Sequence, residues 1–298
     1  MTSLDRNSVF IIEIVIIINM ASKVKKRCLV KNRNYNKDIK KMSDEVKIVN
    51  GIVYDPTNKV SGKVKDICIR DGKVVESVSS KAKIIDAKGM IVMPGGIDIH
   101  CHIAGPKVNI ARKLLPEDHR LDPQFKNEHT RSGVGGVVPS TFATGYRYAT
   151  MGYTTCMEAA VPPLAARHAL EELYDTPVVD NGYYVLLGNN LFLQSLIAEG
   201  RMEEFKNAVG WWLNATKAYT VKIVNPGGDE PWKGHRNTNV KDIDEDSKAT
   251  DVAPRKVIKA FVDAVHELGL PHPPHIHCNN LGHSGNFNTT LETMKTAG

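Results

Sequence analysis

From Gly152 onward the chain alternates between apolar runs of strand length and segments with a helical apolar period. GYTTCMEAAVP (152–162) reads as a strand, ARHALEELYD (166–175) as a helix, and GYYVLLGNN (182–190) as a second strand. LQSLIAEGRMEEFKNAVGWWLNAT (193–216) has helical periodicity, AYTVKIVNPGG (218–228) is a third strand, and KVIKAFVDAVHELG (256–269) is an amphipathic helix. PPHIHCNN (273–280) follows as a fourth strand. An intervening helix carries the chain back across the sheet, so successive strands run the same way. With one more strand upstream, at 94–102, the pattern predicts five parallel units with right-handed crossovers. The simplest fold is α/β: an incomplete (β/α)8 TIM-type barrel with about five of its eight strands.

The upstream strand is Pro94-Gly95-Gly96-Ile97-Asp98-Ile99-His100-Cys101-His102. Side chains at i and i+2 leave a strand on the same face. His100 and His102 are therefore expected together with Asp98, and Ile97 and Ile99 packed on the opposite face. Two such imidazoles suit one divalent metal, each offering a neutral nitrogen at about 2.0–2.1 Å. A bare His-x-His serves as readily as an ordinary core or surface pair. The Pro-Gly-Gly turn before it and Gly105-Pro106 after it place this pair at a strand's C-terminal end. Parallel α/β proteins put their sites there.

Two other strand ends carry possible chemistry. Lys222 lies four residues before Pro226-Gly227-Gly228, at the end of an apolar strand. A lysine there is ordinarily snorkelling or salt-bridged. Buried beside metals it loses its charge readily, and the neutral amine can add CO2 to give a carbamate able to bridge two cations. His275 and His277 alternate on the last strand, with His277 at its end. Each signal is weak alone. His-x-His, Lys222 and His277, at the ends of strands one, four and five, form a specific set.

The rest of the chain frames that set. The composition is 42% hydrophobic and 24% charged, ordinary for a globular protein. The net charge of +6 is local: nine Lys/Arg against one Asp fall in 23–41, and 42–298 carries −1. Net charge therefore gives no reason to expect a nucleic-acid partner. Five cysteines without a CxxC fit the reducing cytoplasm. The apolar run 9–20, interrupted by Glu13, is shorter than the roughly 20 residues a membrane span needs. With the basic run behind it, 1–41 reads as an extension outside the fold, or a start assigned upstream of Met42. From 46 to 93, four or five short strands with tight turns at Pro56-Thr57-Asn58 and Asp71-Gly72 predict a small β-domain. The barrel then occupies 94–298. Segment 103–150, bearing Lys107, Arg112, Lys113, Arg120, Arg131 and Arg147, is long for a loop unless it is functional or carries its own helices. Such a loop is either solvated surface or a cover suited to a carboxylate-bearing substrate.

The constellation resembles the amidohydrolase superfamily of binuclear metallohydrolases. IVNGIVYDP with PGGIDIHCH is similar to its β-domain leading into barrel strand one, GYTT to its second-strand motif, and HCNN at 277–280 to its fifth-strand histidine motif. PGGIDIHCHIAGPKVNIARKLLPEDHR, RHALEELYDTPVVDNGYYVLLGNN, KIVNPGG and HIHCNNLG resemble the amidohydrolase-type (A-type) subunits of formylmethanofuran dehydrogenases, from about residue 46 to the end. The resemblance implies that His100 and His102 bind one zinc, that carboxylated Lys222 bridges two, and that His277 binds the second. His275, Asn279, Lys107, Arg112 and Arg120 would stand behind the ligands or meet substrate.

The implied reaction is reversible condensation of formate with methanofuran to the formamide. The implied partners are a tungsten or molybdenum pterin subunit that makes formate from CO2, and iron–sulfur subunits. The resemblance also calls for a sixth-strand histidine and an eighth-strand aspartate, which lie outside this sequence. That leads to the expectation of a fragment or a split subunit whose strands one and five keep open edges. The competing expectations are a cyclic amidohydrolase of the dihydropyrimidinase or dihydroorotase kind, and an inactive structural subunit.

Overall fold

The computed structural model describes residues 14–16, 45–114, 141–226, 242–246, 250–280 and 284–298; for 14–16, 112–114 and 142–143 it describes the backbone alone. Two compact units emerge. One holds the residues up to Ile97 together with Tyr148–Thr154, and the other holds Asp98–Arg147 and Thr155–Gly298.

The first unit is built of short strands. β1 (Ile14–Ile16) precedes β2 (Glu45–Val49), β3 (Ile52–Asp55), β4 (Val60–Val64), β5 (Ile67–Arg70), β6 (Lys73–Val75), β7 (Lys83–Asp86) and β8 (Ile91–Pro94). They form two four-stranded sheets, ordered β6-β5-β2-β7 and β1-β8-β3-β4. Seven strands thus occupy the span where four or five were expected. The run VKIVNGIVYD divides because Asn50 takes a left-handed φ of 62° and sends β2 and β3 into different sheets. The Asp71-Gly72 expectation holds: Arg70 pairs with Lys73, and both turn residues have positive φ, 51° and 73°. Positive φ at both central positions is the two-residue hairpin turn whose twist matches its strands. At the Pro56 turn, Asn58 donates through its side chain to the Asp55 carboxylate at 2.6 Å. Ile48, Val53, Ala87 and Val92 form the core. β1 pairs antiparallel with β8, so three residues of the segment expected outside the fold join a sheet.

The second unit carries the parallel sheet. β9 (Gly96–Cys101), β10 (Tyr153–Val161), β11 (Asp180–Leu186), β12 (Thr220–Val224) and β13 (His275–His277) lie side by side in sequence order. This succession is that of a barrel wall, five strands of the eight. The helices are α1 (Gly105–Leu114), α2 (Thr141–Thr150), α3 (Ala166–Tyr174), α4 (Leu191–Ala198), α5 (Met202–Thr216), α6 (Pro254–Glu267) and α7 (Phe287–Ala297). The run 193–216 is broken into α4 and α5 at Gly200, whose φ is +70°.

β10 is buried continuously from Cys156 to Val161, as a strand covered on both faces must be. α6 buries Val257, Ile258, Phe261, Ala264 and Val265 along one stripe. Phe261 meets Phe205 of α5 edge to face, with centroids 4.9 Å apart. Such a pair adds about 0.5–1.5 kcal/mol beyond burial.

One expectation about β9 is corrected. Ile97 and Ile99 are 63% and 57% exposed, because β9 is the last strand of the sheet. Segment 103–150 carries helices of its own at both ends, α1 and α2, one of the two expectations for a stretch of that length. Its basic residues divide accordingly: Lys107 is exposed on α1, Arg147 is in the last turn of α2, and Arg120 and Arg131 lie outside the described residues.

Candidate functional site

The ends of β9, β12 and β13 bring the predicted residues together. Lys222 is register-paired with His275, and Val224 with His277. The carbonyl of Lys222 accepts from the N–H groups of Leu187 and Gly188. Gly188 is required there, since a Cβ would come within 2.8 Å of the Ile223 side chain. Backbone packing of this kind fixes where the lysine leaves the sheet.

Lys222 is fully buried, and its Nζ has no hydrogen-bond partner among the described residues. Burial, then the positive charge of Lys107, pulls its pKa down to about 7. An amine this easily neutralised is the form that can take up CO2.

Three imidazoles converge. Nδ1 of His100 lies 2.7 Å from Nε2 of His275, and Nε2 of His100 lies 3.1 Å from Nε2 of His277. The rings of His100 and His277 stack with centroids 4.5 Å apart, and His275 stacks in turn on Tyr184. Desolvation first, then the Lys222 charge, lowers the pKa of His275 and of His277 to about 4, and shifts His100 downward as well. All three are thus neutral at pH 7 and offer lone pairs. His275 proves as central as His277, which strand position alone did not reveal.

His102 sits apart, its ring centroid 5.7 Å from that of His100. Its Nδ1 lies 2.8 Å from Oε1 of Glu158, a fully buried carboxylate on β10. Reading the sequence missed Glu158. The signal was present: it is the one charged residue in the nine of β10. Asn279, also buried, donates through Nδ2 to the Pro226 carbonyl at 2.9 Å, so it ties the ends of β12 and β13 together. Of the proposed substrate contacts, Lys107 acts electrostatically on His100, Lys222 and His277. The Arg112 side chain and Arg120 lie outside the described residues.

The donor chemistry fits a metal. Neutral imidazole nitrogens, which His100 and His277 bring within 3.1 Å of each other, are donors that a zinc ion takes. The orphaned amine of Lys222 is the second sign of fit. Among the described residues, no three His, Cys, Asp or Glu side chains make a metal-ligand set by themselves. The imidazoles face one another rather than a common point, and the remaining donor is a lysine.

Comparison with known proteins follows the same line. Residues 83–297 match the amidohydrolase family. The chain belongs to that family. Among amidohydrolases it is 50% identical over 248 residues to the protein FwdA of Methanocaldococcus jannaschii, covering 83% of this chain and 43% of that protein. It is 38% identical over 256 residues to the A-type subunit of the formyltransferase/hydrolase complex Fhc of Methylorubrum extorquens, covering 84% of this chain and 45% of the relative. A chain of the crystal structure of the Methylorubrum extorquens FhcABCD complex with methylofuran superposes with a TM-score of 0.72 at 35% identity, covering 85% of this chain and 46% of that one. The chain therefore spans less than half the length of the relatives it matches. Amidohydrolases generally work through a metal centre. Among the described residues, no helix is long and apolar enough to cross a membrane.

Proposed function

We propose that this chain supplies the first five strands of an amidohydrolase that makes and breaks the formamide of methanofuran, joining formate to the primary amine with loss of water. The observation that carries the chemistry is Lys222: a buried amine with no hydrogen-bond partner among the described residues, beside neutral imidazoles, at a parallel-strand end. The substrate class is supported by likeness, over more than four-fifths of the chain, to a protein whose complex is named as a formyltransferase/hydrolase and crystallised with methylofuran.

In this reading His100 and His102 would hold one zinc ion, His277 would hold a second, and carbamylated Lys222 would serve as a ligand to both. Divalent ions so held act as Lewis acids toward an amide carbonyl and make water a nucleophile near neutral pH. The protein's own contribution is to keep the donors neutral. Burial keeps the imidazoles unprotonated and depresses the Lys222 amine. His275, hydrogen-bonded to His100, orients that ring. Lys107, exposed on α1, places positive charge beside the site, where a carboxylate such as formate would leave or arrive. Formate would come from a partner subunit with a tungsten or molybdenum pterin, joined by iron–sulfur subunits.

The test is turnover by the full-length, assembled enzyme. Release of formate from N-formylmethanofuran is expected, and Lys222→Ala should abolish it while the assembly still forms. Ring opening of a dihydropyrimidine or dihydroorotate, without formamide hydrolysis, would overturn the proposal in favour of a cyclic amidohydrolase.

A further inference from the structure

The segment just after the second site histidine is held from beneath by two buried carboxylates. Glu158 and Glu172 are both fully buried, on β10 and α3. Oε2 of Glu158 accepts from the backbone N–H groups of Ile103 and Ala104, at 2.8 and 3.1 Å. Glu172 accepts from the N–H of Gly105, the next residue, and stands 3.5 Å from the ring of His168. Three successive N–H groups at the entry to α1 are therefore already bound to protein carboxylates. These three groups are not open to an anionic ligand, and the two glutamates serve a different purpose.

Glu158 does more than hold backbone. Its Oε1 faces Nδ1 of His102 at 2.8 Å and also accepts from the N–H of Ala160 at 3.3 Å. Its other hydrogen-bond partners among the described residues, Ile103, Ala104 and Ala160, are backbone N–H donors. With three N–H groups donating to it, this carboxylate acts as an acceptor, and the hydrogen of the contact belongs on Nδ1 of His102. Nε2 of His102 is then left with its lone pair. Histidine ligands gain orientation and basicity when the other ring nitrogen donates to a carboxylate.

The geometry points to Glu158 as the positioning residue of the site: it sets His102 in the Nδ1–H tautomer, aims Nε2 as the donor, and fixes the 103–104 backbone that carries the ring. The inference rests on the reading of His102 as a metal ligand. His100 has a weaker counterpart, since its Nδ1 meets the neutral imidazole of His275 rather than a carboxylate. The two histidines of the motif therefore differ in what holds their other ring nitrogen, a carboxylate for His102 and an imidazole for His100.

The experiment uses the full-length assembled protein in three variants, His102→Ala, Glu158→Gln and Glu172→Gln, beside the wild type. Zinc affinity is measured by competition with a chelator, and the His102 tautomer by nitrogen-15 NMR of the metal-free, histidine-labelled wild type. Glu158→Gln should weaken zinc binding by about 10–100-fold. Glu172→Gln, which loosens the same segment without touching a site histidine, should bind zinc as wild type does. His102 should show the Nδ1–H pattern. Equal weakening in both glutamate variants would reduce Glu158 to a backbone support and overturn the inference. So would an Nε2–H pattern for His102, a measurement that stands even if Glu158→Gln does not fold. Unchanged zinc binding in His102→Ala would instead defeat the underlying ligand assignment.

Discussion

His100 and His275, 175 residues apart in sequence, meet with Nδ1 and Nε2 only 2.7 Å apart. A separation this short requires one nitrogen to donate and the other to accept. Whichever ring donates, the contact engages Nδ1 of His100 and leaves Nε2 as the nitrogen that faces His277. The contact between β9 and β13 thus selects which nitrogen of His100 can bind a ligand.

Removing either histidine of the His-x-His pair should cost metal. In the complete protein, His100→Ala and His102→Ala are each expected to empty one ion's site, because each ion has few protein donors. Elemental analysis checks this. Two zinc ions per chain in either variant would sink the assignment.

Lys222 gives a sharper contrast. Lys222→Ala should lose both metals and regain part of the activity with a short carboxylic acid that fills the vacated space. Lys222→Arg should be inactive and not rescuable, since guanidinium is not deprotonated in proteins. Lys222→Met should also bind no metal, yet melt higher than the metal-free wild type. It removes a buried polar group with no partner, worth about 1–3 kcal/mol. An active Lys222→Arg enzyme would rule out the carbamate, and a lower-melting Lys222→Met would show that the amine is satisfied.

The same residue sets a pH dependence for the metal-free protein. Its folded pKa, about 7, is below the ordinary 10.5. Between those values the unfolded chain holds a proton that the folded chain has released. Stability therefore rises with pH across this window, and is lost as pH falls toward 7, by at most about 1.4 kcal/mol per pH unit. His275 and His277, lowered to about 4, add a second loss as pH falls from about 6.5 toward 4. Urea unfolding across pH in chelator should show both slopes, with the upper one absent from Lys222→Met. A flat profile between pH 7 and 10 would contradict the buried, depressed amine.

Gly105 offers a test of the segment behind the histidines. Its φ is +78°, while an added Cβ would meet nothing nearer than the Ala169 Cβ, at 3.5 Å, an ordinary contact. Gly105→Ala should therefore destabilise through backbone strain alone, by about 1–2 kcal/mol. Chemical denaturation measures it. An unchanged midpoint would mean that 102–105 can relax without loss.

Much of this was legible in the chain itself. Local order is written locally: the strand–helix alternation from 152 on, the Asp71-Gly72 hairpin, and the i, i+2 pairing of His100 with His102 depend on neighbours in sequence. Those features determined the parallel sheet and the strand ends where His100, His102, Lys222 and His277 lie. Only the tertiary structure decided which rings touch, because His100 meets His275 and His277 across the sheet. The role of Glu158 was likewise hidden. One acid in an apolar strand has no meaning until folding brings the His102 ring and three N–H groups against it. The exposure of Ile97 and Ile99 also had a tertiary cause. Alternation along a strand names two faces, but which neighbours cover a face depends on the strand's place in the sheet, and β9 is an edge.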